Sequence, residues 1–190
     1  MQGKNTTALL LIDIQNDYFP NGAFELDGAA AAGEKAGQVL AAFREQGRPV
    51  IHIQHEAVAP GSFFFLPETE GVEIHSSVRP VQGEAVLTKH YPNSFRETGL
   101  HDLLQELGVQ HLVVAGMMSL MCVDATVRAA FDLGYCCTVL HDACAARSLV
   151  FDGVEVSASQ VHAAFMAALQ MRYAQISSCE AFLEACQRPD

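Results

Sequence analysis

Basic residues are scarce in this sequence. Eleven Lys and Arg face 22 Asp and Glu across 190 residues, a formal charge of −11 at pH 7. Nucleic acid and anionic membrane surfaces recruit Lys and Arg, so the balance argues against both as partners. Metal-type cysteine spacing is missing too. The six cysteines, two adjacent at Cys136 and Cys137, make no C-x-x-C pair and fall short of a secreted disulfide scaffold, which points to a reducing, cytoplasmic setting. The apolar stretch TTALLLIDI is too short for a membrane span and lacks the basic start and cleavage site of a signal peptide. No repeat, low-complexity tract or linker divides the chain, so one domain over residues 1–190 is expected.

What is present is an alternation of short branched runs and helical patterns. Residues 8–12 form an unalternating apolar run ending in Asp13, the pattern of a strand buried on both faces. Further strands are expected at 49–53, 85–89, 112–115, 136–140 and 174–176. Helices are expected at 28–46, 97–107, from 123 to Gly134, at 157–171 and at 179–186. Strands alternating with helices imply an α/β fold, a mostly parallel sheet covered on both faces. Between 54 and 83 periodicity fades, and Phe63, Phe64 and Phe65 fall in that connection. They suit a core plug, a pocket wall or a subunit contact equally well.

In open parallel sheets ligands bind beyond the carboxyl ends of the strands. Asp13 and Lys89 end two expected strands, and Cys122 follows a third at the start of a helix. Unpaired N–H groups and the helix dipole there favour an anion, so the sequence predicts an easily ionised thiol. A thiol to attack, a carboxylate to take its proton and an ammonium to hold negative charge make a complete nucleophilic set.

The segments LLLIDIQNDYF, LTKHYPNSF and VVAGMMSLMCVDATVRAAFDLGY, with the later HDACAARS and SASQVHAAFMAAL, resemble the isochorismatase-like cysteine hydrolases over residues 8–174. The resemblance implies a three-layer Rossmann-like fold with a six-stranded sheet and a catalytic triad of Asp13, Lys89 and Cys122. It also implies a cis peptide between Met117 and Met118, with the Met118 and Cys122 N–H groups as an oxyanion hole. The implied reaction is hydrolysis of a small amide or carbamoyl C–N bond through a thioester, on a small neutral substrate, with no cofactor and in a homo-oligomer.

Gln15, Phe19, His55, Tyr91, Phe95 and Met117 are the expected substrate-binding residues, and the uncharged amide of Gln15 is expected to orient Asp13. Relatives that hydrolyse nicotinamide carry an Asp-x-His pair and further histidines for a metal. Here the stretch is His52, Ile53, Gln54, His55, and residues three apart on a strand face opposite sides, so no metal is expected. Relatives acting on isochorismate use no cysteine, since vinyl-ether hydrolysis needs an acid. That activity, an idle oligomeric relative, and a redox thiol with Cys144 as resolving partner are the alternatives. Asp142 and Arg147 are expected to pair with each other rather than bind substrate.

Overall fold

The computed structural model describes residues 6–187, so the first five and last three residues of the expected domain lie outside the described residues. Its strands are β1 (Thr6–Ile12), β2 (Val50–His55), β3 (Ala85–Lys89), β4 (Val109–Met117), β5 (Cys136–Ala145), β6 (Leu149–Phe151), β7 (Val154–Val156) and β8 (Gln175–Ser177). Its helices are α1 (Ala29–Glu45), α2 (Leu100–Glu106), α3 (Asp124–Asp132), α4 (Ala158–Gln170) and α5 (Cys179–Gln187). Six strands form one sheet in the order β3-β2-β1-β4-β5-β8, and every pairing in it is parallel.

β1 shows why the sheet lies in the middle. Leu9 and Leu11 face one apolar cluster with Val39, Leu40 and Phe43 of α1 and Cys179 of α5. Ala8, Leu10 and Ile12 face the other, with Leu100 and Leu104 of α2, Val127 of α3, and Met166 and Leu169 of α4. Successive side chains of a strand point to opposite faces, so a run apolar at every position must be covered twice, and three layers result.

Strand order reverses between β1 and β4. The chain builds outward from β1 through β2 to β3, then returns to the other side of β1 with β4. Gly116 sits at this point, paired with Ile12, at φ 148°. A Cβ there would collide with the Ile12 backbone, so glycine is what lets the two strands stay together to their ends.

The sequence did not anticipate the antiparallel β6–β7 hairpin, which stands apart from the main sheet. Strands β4 and β5 run longer than expected, and α2 starts three residues later than the expected 97. Cys122 lies in a separate π-helical turn (Ser119–Val123) that leads into α3, not in the first turn of α3 itself. No helix of the described residues is long and apolar enough to cross a membrane.

Candidate active site

The carboxyl ends of β1, β2, β3 and β4 meet at the reversal point. Register pairs His55 with Lys89, and the Asp13 N–H bonds the Ile53 carbonyl at 3.0 Å, so Asp13, His55 and Lys89 leave three adjacent strands at one level. Asp13 takes a left-handed conformation, φ 50°, which ends β1. Beyond β4, the Met117–Met118 peptide is cis as expected, and the turn bearing Cys122 follows.

That turn is fixed from two sides. Ser119 Oγ donates to the Ala145 carbonyl at 3.1 Å, which leaves it to accept from His162 Nδ1 at 2.7 Å, tying the turn to β5 and α4. Thr126 Oγ1 accepts from the Ser94 N–H at 3.0 Å and donates to Ser94 Oγ at 2.8 Å, so the loop after Lys89 is tied to α3. All these oxygens are buried or nearly so, where a net hydrogen bond contributes about 1 kcal/mol and a broken one costs more.

The structure brings Asp13, Lys89 and Cys122 together. Lys89 Nζ lies 2.7 Å from Asp13 Oδ2 and donates to Cys122 Sγ at 3.3 Å. Both ends of the ion pair have no side-chain exposure, and Cys122 keeps 6%. Asp13 Oδ1 is buried, and an oxygen of the Asp13 carboxylate lies within 4.8 Å of Cys122 Sγ.

The charge state differs from the sequence expectation. Burial pushes the Cys122 thiol well above its ordinary pKa, the Asp13 carboxylate adds to the rise, and Lys89 opposes both without prevailing. At rest Cys122 is therefore a thiol, not the easily ionised group expected at a helix start. Burial works to lower the Lys89 pKa, but Asp13 and Cys122 outweigh it, so the ammonium stays charged.

His55 completes the cluster. Its Nδ1 lies 2.9 Å from Lys89 Nζ, and burial, followed by the Lys89 charge, lowers its pKa to about 4. The ring is neutral near pH 7, and because the ammonium is a donor, Nδ1 is the acceptor and the proton sits on Nε2. A carboxylate oxygen of Asp13, a ring nitrogen of His55 and Cys122 Sγ lie within 4.8 Å of one another. That O, N, S set has the donor types of a metal site, but the three converge on the Lys89 ammonium, which fills the place an ion would take. His52 turns the other way, as the spacing predicts, to Glu84 at 2.8 Å.

Other expected contacts are redistributed. Gln15 spends its amide on backbone: Oε1 accepts from the His55 N–H at 2.8 Å, and Nε2 donates to the His55 and Val72 carbonyls at 2.9 and 2.7 Å. It orients His55, not Asp13, and has no donor left for a substrate. Phe19 stacks on His75, centroids 3.5 Å apart, and lines a cavity of about 1000 Å³ that none of Asp13, Lys89 or Cys122 reaches. No cysteine lines that cavity, and Asp13, Lys89 and Cys122 gather apart from it. Tyr91 lies under the Arg96 guanidinium at 3.5 Å, and Phe95 packs toward Tyr135 on the helix side that includes Cys122. Met117 is fully buried.

Asp142 and Arg147 do not pair. Asp142 caps α5 by accepting from the Cys179 N–H at 2.8 Å, and Arg147 lies 4.2 Å over the Phe24 ring. Of the three phenylalanines, Phe65 is buried 5.9 Å from the His55 ring while Phe63 is 60% exposed. Tyr18 escaped the sequence reading. It is buried against Phe65, and burial, then Cys122 and Asp13, raise its pKa, which places a neutral phenol at the site. Its position inside LLLIDIQNDYF was the one signal available. A smaller cavity of about 430 Å³ opens at Cys144, Ala145 and His162, where Ala145 pairs with Met117.

These features define a three-layer α/β protein whose thiol, carboxylate and ammonium meet at the strand-order reversal of a parallel sheet. Known proteins carry the same arrangement of chain. The Isochorismatase domain profile matches residues 7–181. The isochorismatase family protein YddQ of Bacillus subtilis is 54% identical over 179 residues, covering 94% of this chain and 99% of the relative. The ureidoacrylate amidohydrolase RutB of Caulobacter segnis is 31% identical over 171 residues, 73% of this chain and 72% of that one. The crystal structure of an isochorismatase hydrolase from Oleispira antarctica superimposes with a TM-score of 0.93 at 49% identity, covering 97% of this chain and 99% of that one. The chain belongs to the isochorismatase family of hydrolases.

Proposed function

We propose that this protein hydrolyses the C–N bond of a small neutral amide or carbamoyl compound through a thioester on Cys122. One observation carries the reading: a single buried ammonium, Lys89, stands 2.7 Å from a carboxylate and 3.3 Å from a thiol. A relative that is a ureidoacrylate amidohydrolase supports the bond type.

Asp13 takes the Cys122 proton as sulfur attacks the carbonyl carbon, and the carbonyl electron pair moves onto oxygen. The raised thiol pKa fits this order, with proton transfer accompanying attack. The Met118 and Cys122 N–H groups receive the oxyanion, where losing one such donor typically costs about 2.7–4 kcal/mol. The C–N bond then breaks and Asp13 returns its proton to the departing nitrogen. Water, deprotonated by Asp13, attacks the thioester, the C–S bond breaks, and sulfur recovers the proton. Lys89 stays charged throughout and stabilises whichever neighbour is negative. The reading includes action without a cofactor, in the cytoplasm, by a homo-oligomer.

Ammonia release from a panel of primary amides and ureides tests the proposal. Turnover of at least one compound is expected, with Cys122→Ala and Asp13→Asn each losing it by about 10³-fold or more. Unchanged turnover in Cys122→Ala would overturn the reading.

A further inference from the structure

Lys89 has three ammonium hydrogens and no side-chain exposure to water. Its Nζ makes three contacts: Asp13 Oδ2 at 2.7 Å, His55 Nδ1 at 2.9 Å and Cys122 Sγ at 3.3 Å. Two of those partners exchange a proton in the reaction proposed above, so their hold on the ammonium changes during every turnover. His55 is the partner that does not change. Two contacts leave a side-chain tip free to swing about the line joining them, and a third removes that freedom. A neutral imidazole suits the task, because it accepts from an ammonium without competing for charge with Asp13.

His55 is itself held on its backbone. Gln15 takes the His55 N–H at 2.8 Å and donates to its carbonyl at 2.9 Å, and the same amide reaches Val72 at 2.7 Å. Directly after His55, the Glu56 N–H bonds the Lys89 carbonyl of the neighbouring strand at 3.0 Å, which keeps the ends of β2 and β3 level. These bonds fix the backbone that carries the ring, and the hydrogen bond that the ring itself makes among the described residues is to Lys89.

We propose that His55 is a positioning residue, whose Nδ1 holds the Lys89 ammonium between Asp13 and Cys122, with Gln15 fixing His55 in turn. The kinetic consequence rests on the amide-hydrolase reading, while the geometric one does not.

His55→Leu and His55→Asn separate this role from packing and from substrate contact. The asparagine Oδ1 falls close to where Nδ1 stands and still accepts, whereas leucine fills the space without accepting. On an amide the wild type turns over, the leucine variant should lose about 10–100-fold in kcat, the range for residues that orient a reacting group, with KM little changed. The asparagine variant should recover most of that loss. Leucine performing as well as asparagine, or a loss confined to KM, would overturn the proposal.

A second readout needs no substrate. Lys89 draws the Cys122 pKa down, so a displaced ammonium should slow alkylation of Cys122 by iodoacetamide, followed by peptide mass spectrometry, by about tenfold for each pKa unit. Slowing in the leucine variant and recovery in the asparagine variant are expected, and equal rates in all three proteins would contradict the proposal. If no amide is turned over, the amide reading fails and the alkylation rates still decide the role of His55. Should the leucine variant not fold, His55→Ala enters the same comparison with the same expected order.

Discussion

At the scale of single residues, the site is governed by one buried cation. Removing one member of a buried ion pair leaves the other charge unpaired in a poor solvent, typically at a cost of about 3–5 kcal/mol. Lys89→Met should therefore lower unfolding free energy by about that amount, and adding Asp13→Asn to the same chain should restore much of it. Urea unfolding of the two variants measures the difference, and a Lys89→Met protein as stable as wild type would contradict a stabilising Lys89–Asp13 pair. His55 adds a pH dependence. Its folded pKa is about 4 against an ordinary 6.5, so below pH 6.5 the unfolded chain binds a proton that the native ring refuses. Stability from this group is complete above pH 6.5 and is lost as pH falls from there toward 4. Urea midpoints between pH 7 and pH 4.5 should fall less steeply in His55→Asn than in wild type. Equal slopes would contradict the depressed pKa.

The meeting of Asp13, Lys89 and Cys122 was legible in the sequence because two of them end expected strands and the third follows another, and the parallel-sheet rule sends all such ends to one rim. The contacts of Gln15, Phe19 and Tyr91 were not, since each lies beyond a strand end, where the direction of a side chain depends on how the next loop folds back. Gln15 meets Val72, 57 residues away, and no local pattern encodes that meeting. Asp142 and Arg147 fail for the same reason: the helix N-terminus and the aromatic ring that claim them come from distant parts of the chain.

At the scale of elements, the core strands of the sheet were foreseen because a run such as 8–12, apolar at every position, has no other stable use in a chain of this kind. The β6–β7 hairpin was missed although Asp152 and Gly153 stand between two apolar runs, a strong hairpin signal. Its strands are three residues each, and Phe151 is 82% exposed, so neither length nor burial marked them. The turn before α3 was also hidden. Helical spacing from Val123 onward is real, but it cannot tell an α-turn from the wider turn that precedes it. That difference matters because it removes Cys122 from the first turn of a regular helix, where the dipole argument applies, and leaves burial to set the thiol's charge.

At the scale of the molecule, the reversal of strand order between β1 and β4 gathers one buried cluster out of three sequence segments more than 30 residues apart. The net charge of −11 opposes association with polyanions. The homo-oligomer in the proposal predicts a sedimentation-equilibrium mass at least twice that of the chain, and a monomer at micromolar concentration would remove that part of the account. The central claim, that Cys122 carries the acyl group, is tested most directly by quenching the enzyme in acid during turnover of an amide and weighing it intact, then mapping its peptides. The account predicts an adduct equal to the acyl part of the substrate, located on Cys122 and absent from Cys122→Ala. An adduct on another residue, or steady ammonia release from Cys122→Ala, would contradict it.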